Sequence, residues 1–266
     1  MAEIKKYALI TGATGGLGKA FVNVLAEAGY DLLLTGRNEE KLKILQTEIN
    51  QKYPEKDVRI YAADLSNDGG MYALTSKIEE EDLYISMLAN VAGADIQKAF
   101  ENYTMEKISF QCRVNFQSAV SLCHFTIKRK DSHLDIINVS SVSGIYPMPY
   151  FAIYSATKNA LTSFSVALRE EMKGKGVYVT AVLPGAMPTR ADIQEQIKGQ
   201  GLWGRLAVKS PEDVARASLK AVRKNKAKTI IGFWNKMMRV GTWWIPTSIR
   251  MRFIAKRWSK ISKDAF

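Results

Sequence analysis

The sequence predicts one doubly wound α/β domain, a parallel sheet covered on both faces by helices, followed by a basic amphipathic extension. Three observations predict it. Short β-branched or leucine-rich runs alternate with longer amphipathic stretches. The short runs are apolar almost without interruption, as strands buried on both faces must be. No Pro-, Gly- or Ser-rich linker and no internal repeat divides the 266 residues.

Taken in order, residues 7–11 read as a strand, 17–28 as a helix, 31–35 as a strand, 39–52 as a helix and 58–62 as a strand. The alternation continues with helices at 71–80, 105–127 and 154–172 and extended runs at 84–89, 135–139 and 177–182. Beyond the last of these the pattern loosens. Residues 184–208 carry Gly185, Gly199, Gly201 and Gly204 around Trp203 and read as a loop with one short helix, of which 186–208 is the expected substrate loop. Ser210 then offers a helix cap, Pro211 a first helical residue, and Glu212 and Asp213 an acidic first turn, so a helix runs to about Lys224 before a short strand at 229–231. The expected division is a body of residues 1–232 and an extension of residues 233–266.

The formal charge of +12 raises the question of a polyanionic partner, nucleic acid or a membrane surface. Counting by segment confines the charge. Residues 225–266 hold ten basic residues and one acidic, Asp264, and so carry +9, which leaves +3 for the first 224. The same stretch holds four of the five tryptophans: Trp234, Trp243, Trp244 and Trp258. A nearly neutral body argues against nucleic acid. For the tail two expectations stand: its apolar side packs over a substrate cleft or a neighbouring subunit, or it lies on an anionic membrane.

The longest uncharged apolar piece of the tail, residues 240–249, is about half of the ~20 residues that a spanning helix needs. Glu3, Lys5 and Lys6 directly follow Met1, and the apolar run at 7–10 is too short for a signal-peptide core. Cys112 and Cys123 are eleven apart in a helical pattern, ~16 Å along its axis, too far for a mutual disulfide. Free thiols and no leader make a cytoplasmic protein the expectation. His124 and His133 lack the Cys or carboxylate spacing of a metal site, so no metal is expected.

Three constellations carry chemistry. Thr11-Gly12-Ala13-Thr14-Gly15-Gly16-Leu17-Gly18 follows the first strand and opens the first helix, where glycines let backbone amides at a helix N-terminus approach a pyrophosphate. The second strand ends Leu34-Thr35-Gly36-Arg37, at the place where a carboxylate would select NAD; instead Gly36 makes room and Arg37 offers its guanidinium to a 2′-phosphate, so NADP(H) is expected. Ser141 follows the strand at 135–139, and Tyr154 and Lys158, four apart, share a helix face. An ammonium ~4 Å from the phenol, at an effective dielectric of ~20, is worth ~4 kcal/mol, enough to bring a phenol with an ordinary pKa of ~10 near neutrality.

Together these residues resemble the short-chain dehydrogenase/reductases, over residues 6 to about 231. The resemblance rests on Thr11-Gly12-x-x-x-Gly16-x-Gly18, Asp64-Leu65 after the third strand, Asn90-Val91-Ala92-Gly93 after the fourth, Asn115, Ser141 thirteen before Tyr154, Lys158, and Pro184-Gly185 with Thr189. It implies a Rossmann fold with a catalytic set of Asn115, Ser141, Tyr154 and Lys158. Tyr154 would exchange a proton with the carbonyl oxygen, Ser141 would hydrogen-bond that oxygen, Lys158 would lower the Tyr154 pKa and hold the nicotinamide ribose, and Asn115 would hold a relay water. The implied cofactor set is Thr11, Gly12, Thr14, Gly16, Leu17, Gly18, Arg37, Asp64 at the adenine, Leu65, Asn90 near the adenine ribose, Ala92, Gly93, Tyr154, Lys158, Pro184, Gly185, and Thr189 at the carboxamide. Where the family usually has a second Asn this chain has Val91, which touches a local hydrogen bond and not the chemistry.

Substrate choice is expected from residues 145–151, from Ala94 and Asp95, and from the loop at 186–208; these are mostly apolar and aromatic. A bulky hydrophobic ketone or secondary alcohol is therefore expected, and the resemblance implies a steroid or bile-acid hydroxyl first and a fatty 3-oxoacyl thioester second, in a homodimer or homotetramer. A rival of another class is a non-catalytic, NADP-binding membrane-surface scaffold. It predicts decay of Asn115, Ser141, Tyr154 or Lys158, and all four are present.

Overall fold

The architecture follows from where each apolar run can hide. The structure, a computed structural model, describes residues 6–188 and 208–259. Its strands are β1 (Lys6–Thr11), β2 (Asp31–Gly36), β3 (Val58–Ala62), β4 (Tyr84–Asn90), β5 (Leu134–Val139), β6 (Val177–Leu183) and β7 (Lys228–Ile230). They form one parallel sheet in the order β3-β2-β1-β4-β5-β6-β7. The order reverses between β1 and β4, and the crevice at the carboxyl ends of those two strands is where a doubly wound sheet binds its ligand.

Both faces are covered. Ala8 and Ile10 of β1 and Leu32 and Leu34 of β2 pack with Phe21 and Leu25 of α1 (Gly16–Glu27), Leu42 and Leu45 of α2 (Glu39–Lys52), and Val214 and Val222. The intervening Tyr7, Leu9 and Leu33 pack on the other side with Leu74 and Ile78 of α3 (Asp68–Glu80) and with Leu122. Because neighbouring residues go to opposite covered faces, the strands carry no polar alternation.

The expected boundaries agree with the observed ones to within a residue or two, with three differences. First, α3 begins at Asp68, three residues before expected, because Asn67 caps it by accepting from Gly70 N (2.8 Å) and so carries the helix across the Gly69-Gly70 pair. Second, the long helix expected at 105–127 is α4 (Met105–Cys112) and α5 (Ser118–Lys128) joined by one wide π turn, Arg113–Gln117. Third, the tail is two helices, α8 (Phe233–Trp243) and α9 (Thr247–Trp258), separated at Pro246. Before them in the chain lie α6 (Ala152–Glu171), which carries Tyr154 and Lys158, and α7 (Pro211–Arg223), capped by Ser210. Among the described residues no helix is long and apolar enough to cross a membrane.

Candidate active site

At the crevice the glycine turn is shaped by backbone contact. Gly12 has φ +62°, and a Cβ there would sit 2.9 Å from Ala92 Cα, so only glycine allows β1 and the segment after β4 to come this close. Gly15 N donates to Gly12 O (3.0 Å), and α1 then starts with no side chain capping its first turn. Among the described residues no side chain caps its leading amides, which suits an anionic group. Thr14 Oγ1 lies beside Gly36, so the turn and the end of β2 border one space. Arg37 extends from there over the Phe110 ring, 5.6 Å from its centroid, with no ion pair among the described residues. Asp64, half-buried after β3, accepts from Ser66 N (3.0 Å). Gly turn, uncapped helix and unpaired guanidinium fit a phosphorylated dinucleotide.

Three residues expected at the cofactor turn their side chains inward. Thr11 Oγ1 accepts from Val91 N (2.9 Å) and Ala92 N (3.0 Å), tying β1 to β4. Asn90 donates to Asn138 Oδ1 (2.8 Å) and Ala119 O (3.3 Å) inside the protein. Leu17 packs in the core beside α2 and α7. Whatever these three offer a ligand comes from their backbone. Leu65 is likewise buried, whereas Ala92 and Gly93 line the crevice edge. Thr189 lies outside the described residues, as does most of the loop at 186–208.

The residues expected to react converge from the end of β5, the turn between α4 and α5, and α6. Lys158 is 4% exposed, donates from Nζ to Val139 O (2.9 Å), and stands 5.9 Å from the centre of the Tyr154 ring. Ser141 follows β5 and caps a short turn by accepting from Ser143 N (3.0 Å). Asn115 sits in the π turn, where Oδ1 accepts from Ala94 N (2.7 Å) and Nδ2 donates to Ala94 O (2.9 Å) and Thr157 Oγ1 (3.2 Å). Both donor positions of its amide are taken, and Oδ1 keeps one acceptor position. A Cβ placed on Gly93 would lie 3.2 Å from Lys158 Nζ and 3.3 Å from Asn115 Oδ1, which puts these two groups on one small space.

Sequence reasoning missed the residues that hold this arrangement. Ser140 Oγ donates to Lys158 O (2.7 Å) and accepts from Thr162 Oγ1 (2.7 Å), locking the end of β5 to α6. A side chain at Gly144 would be 2.8 Å from Lys158 C, so this turn lies directly on the α6 backbone. Asn235 of α8 is buried against Gly185, where a Cβ would come within 2.5 Å of Asn235 Nδ2. A serine doublet and a glycine three residues after Ser141 were the available signals; nothing local marks Asn235.

Beside Tyr154 the wall is aromatic. Phe151 meets the Tyr154 ring edge-on at 5.4 Å, and Trp258 of α9 meets Phe151 at 5.1 Å. Tyr146 Oη bonds Thr242 Oγ1 (2.7 Å) of α8 and its ring lies 4.7 Å under the Arg250 guanidinium of α9. The tail's inner side therefore covers the segment expected to choose the substrate. Tyr150 in this wall has φ +64°, a strained backbone for an aromatic residue, and its carbonyl accepts from Lys98 N (3.0 Å).

Burial pulls the Lys158 ammonium down to about 8, with the Asp95 carboxylate opposing. In the unfolded chain the value is 10.5, so between those two pH values the folded state holds fewer protons and stability rises with pH. The full span is worth roughly 3 kcal/mol at ~1.4 kcal/mol per unit. We expect Lys158→Met to lose ground against the parent chain by about 2 kcal/mol between pH 7 and pH 10. Urea melts at both pH values measure this, and a difference independent of pH would mean that Lys158 titrates as in water. The lost bond to Val139 O offsets both measurements equally.

A profile described as short chain dehydrogenase matches residues 6–198. The chain belongs to the short-chain dehydrogenases, a family of oxidoreductases. It is 30% identical over 239 residues to the very-long-chain 3-oxoacyl-CoA reductase of Bos taurus, covering 82% of this chain and 68% of that one. A 7β-hydroxysteroid dehydrogenase structure superposes with a TM-score of 0.83 at 26% identity, covering 94% of this chain and 96% of the other. A short-chain dehydrogenase from Sphingobium yanoikuyae in complex with NADPH superposes with a TM-score of 0.73 at 25% identity over 98% of both chains.

Proposed function

We propose that this protein is an NADP(H)-dependent oxidoreductase that interconverts a ketone and a secondary alcohol on a bulky apolar substrate, a steroid or bile-acid hydroxyl ahead of a fatty 3-oxoacyl thioester. The observation that carries it is the company of the Tyr154 ring: the buried Lys158 ammonium 5.9 Å from its centre and an aromatic wall, Phe151 backed by Trp258, packed against it. Its resemblance to the 7β-hydroxysteroid dehydrogenase fold and to the 3-oxoacyl-CoA reductase sequence supports both substrate classes.

The nicotinamide, when bound, supplies or accepts the hydride at the carbonyl carbon. The chain's own residues manage the oxygen. In reduction Tyr154 gives its Oη proton to the oxygen as negative charge builds there, and Ser141 Oγ donates a hydrogen bond to the same atom. Lys158 stabilises the phenolate that remains, and its Nζ would hold the nicotinamide ribose. Oxidation runs these steps backwards. Gly12, Gly16 and the uncapped start of α1 would take the pyrophosphate, and Arg37 the 2′-phosphate. Phe151 and Trp258 would form the apolar wall beside the reacting oxygen.

The test is NADPH oxidation by the full chain against keto steroids, keto bile acids and 3-oxoacyl thioesters. Turnover of a steroid or bile-acid ketone is the expected result; turnover of thioesters alone moves the substrate to the second class, and turnover of none removes both.

A further inference from the structure

The inner sides of α8 and α9 are accounted for by the site, but their outer sides are not. At 100° per residue Phe233, Met237 and Val240 of α8, with Trp244 at its C-cap, fall within one stripe about 60° wide, opposite Asn235 and Thr242, which face the body. On α9 Ile249 and Phe253 point outward, opposite Ile254 and Trp258. Exposure reaches 75% at Trp243, 82% at Trp244 and 68% at Phe253. Apolar side chains this large, this exposed and this close together mark a contact surface.

Charge says what the surface meets. Lys236, Arg239, Arg252 and Lys256 stand exposed among the apolar side chains, and no acidic residue occurs between Asn225 and Ser259. A second copy of this chain is a poor occupant, since a two-fold contact lays the same patch against itself and sets four cations against four. Tryptophan and phenylalanine on one side with lysine and arginine around them is the composition of a helix lying in the headgroup region of an anionic bilayer. We propose that α8 and α9 dock this protein on an anionic lipid surface, with Trp243, Trp244 and Phe253 entering the interface and Lys236, Arg239, Arg252 and Lys256 contacting lipid phosphates.

The proposal needs no spanning segment and is independent of the substrate. Each cation near an anionic surface should strengthen binding roughly five-fold. The experiment is co-sedimentation of the full-length protein with phosphatidylcholine vesicles, with and without phosphatidylglycerol, at low and high salt. We expect binding to the anionic vesicles, at least ten-fold weaker on pure phosphatidylcholine and weakened by salt. Trp244→Ser with Phe253→Ser, and separately Lys236→Glu with Arg252→Glu, should each abolish it; exposed positions leave the fold intact, which circular dichroism checks. Failure to bind anionic vesicles overturns the proposal, as does binding that both double variants retain. A parent chain that ignores vesicles but loses a dimer on Trp244→Ser with Phe253→Ser, seen by sedimentation velocity, reassigns the face to a contact between copies.

Discussion

Tyr154→Phe is expected to lower kcat by about three orders of magnitude while cofactor affinity changes by less than about three-fold. The substitution removes one oxygen and keeps the ring. The edge-on contact with Phe151 and the position of Lys158 against the ring both survive it, so the melting temperature should hold within a few degrees. A positioned general acid contributes 10² to 10⁴, and nothing else at the site carries an acidic proton onto the carbonyl oxygen so directly; Ser141 is already accepting from Ser143 N and serves as a hydrogen-bond donor. Steady-state kinetics with a saturating ketone, together with NADPH titration by fluorescence, separates chemistry from binding. Full activity in the phenylalanine variant would remove Tyr154 from the mechanism.

Arg37→Asp should reverse cofactor preference. A charge-assisted, forked contact with a phosphate is worth about 1.5–3 kcal/mol, so kcat/KM for NADPH should fall roughly 10- to 150-fold, while the new carboxylate can accept from the ribose hydroxyls of NADH. The side chain is exposed, stacked on Phe110 and engaged in no ion pair among the described residues, so stability should be untouched. Arg37→Lys retains the charge but loses the fork and should fall in between. An unchanged NADPH-to-NADH ratio in Arg37→Asp would mean that the 2′-phosphate is read elsewhere.

The sequence was most legible where local chemistry and burial agree. α2 begins after Asn38, whose side chain accepts from Lys41 N, has Glu39 and Glu40 in its first turn and buries Leu42, Leu45 and Ile49 at helical spacing; its bounds follow from these residues alone. β3 is bounded as cleanly. The start of α3 was hidden because two glycines argue against a helix that a capping asparagine nevertheless makes. The π turn at Asn115 could not be read from periodicity, since one extra residue rotates the apolar face by about 100° and the two short helices on either side each carry too few turns to show the jump.

At the site, residue identity was legible and direction was not. Thr11, Asn90 and Leu17 stand in the motif, yet their side chains serve the strand contacts and the core, and only the neighbouring chain decides that. The tail shows the same limit: its charge and tryptophans are plain in the sequence, but the pairing of Asn235 with Gly185 and of Trp258 with Phe151 joins residues 50 and 107 positions apart.

The contact between Gly144 and the backbone of Lys158 has a consequence for how such a catalyst changes over time. Because that turn rests on α6 with no room for a side chain, the distance from Ser141 to the helix carrying Tyr154 and Lys158 is set upstream of residues 145–151. Within that span Phe151 touches the Tyr154 ring and Tyr146 is tied to the tail, so a new ligand shape is most readily met at Ile145, Pro147, Met148 and Pro149, whereas one methyl group at position 144 would move the proton donor itself.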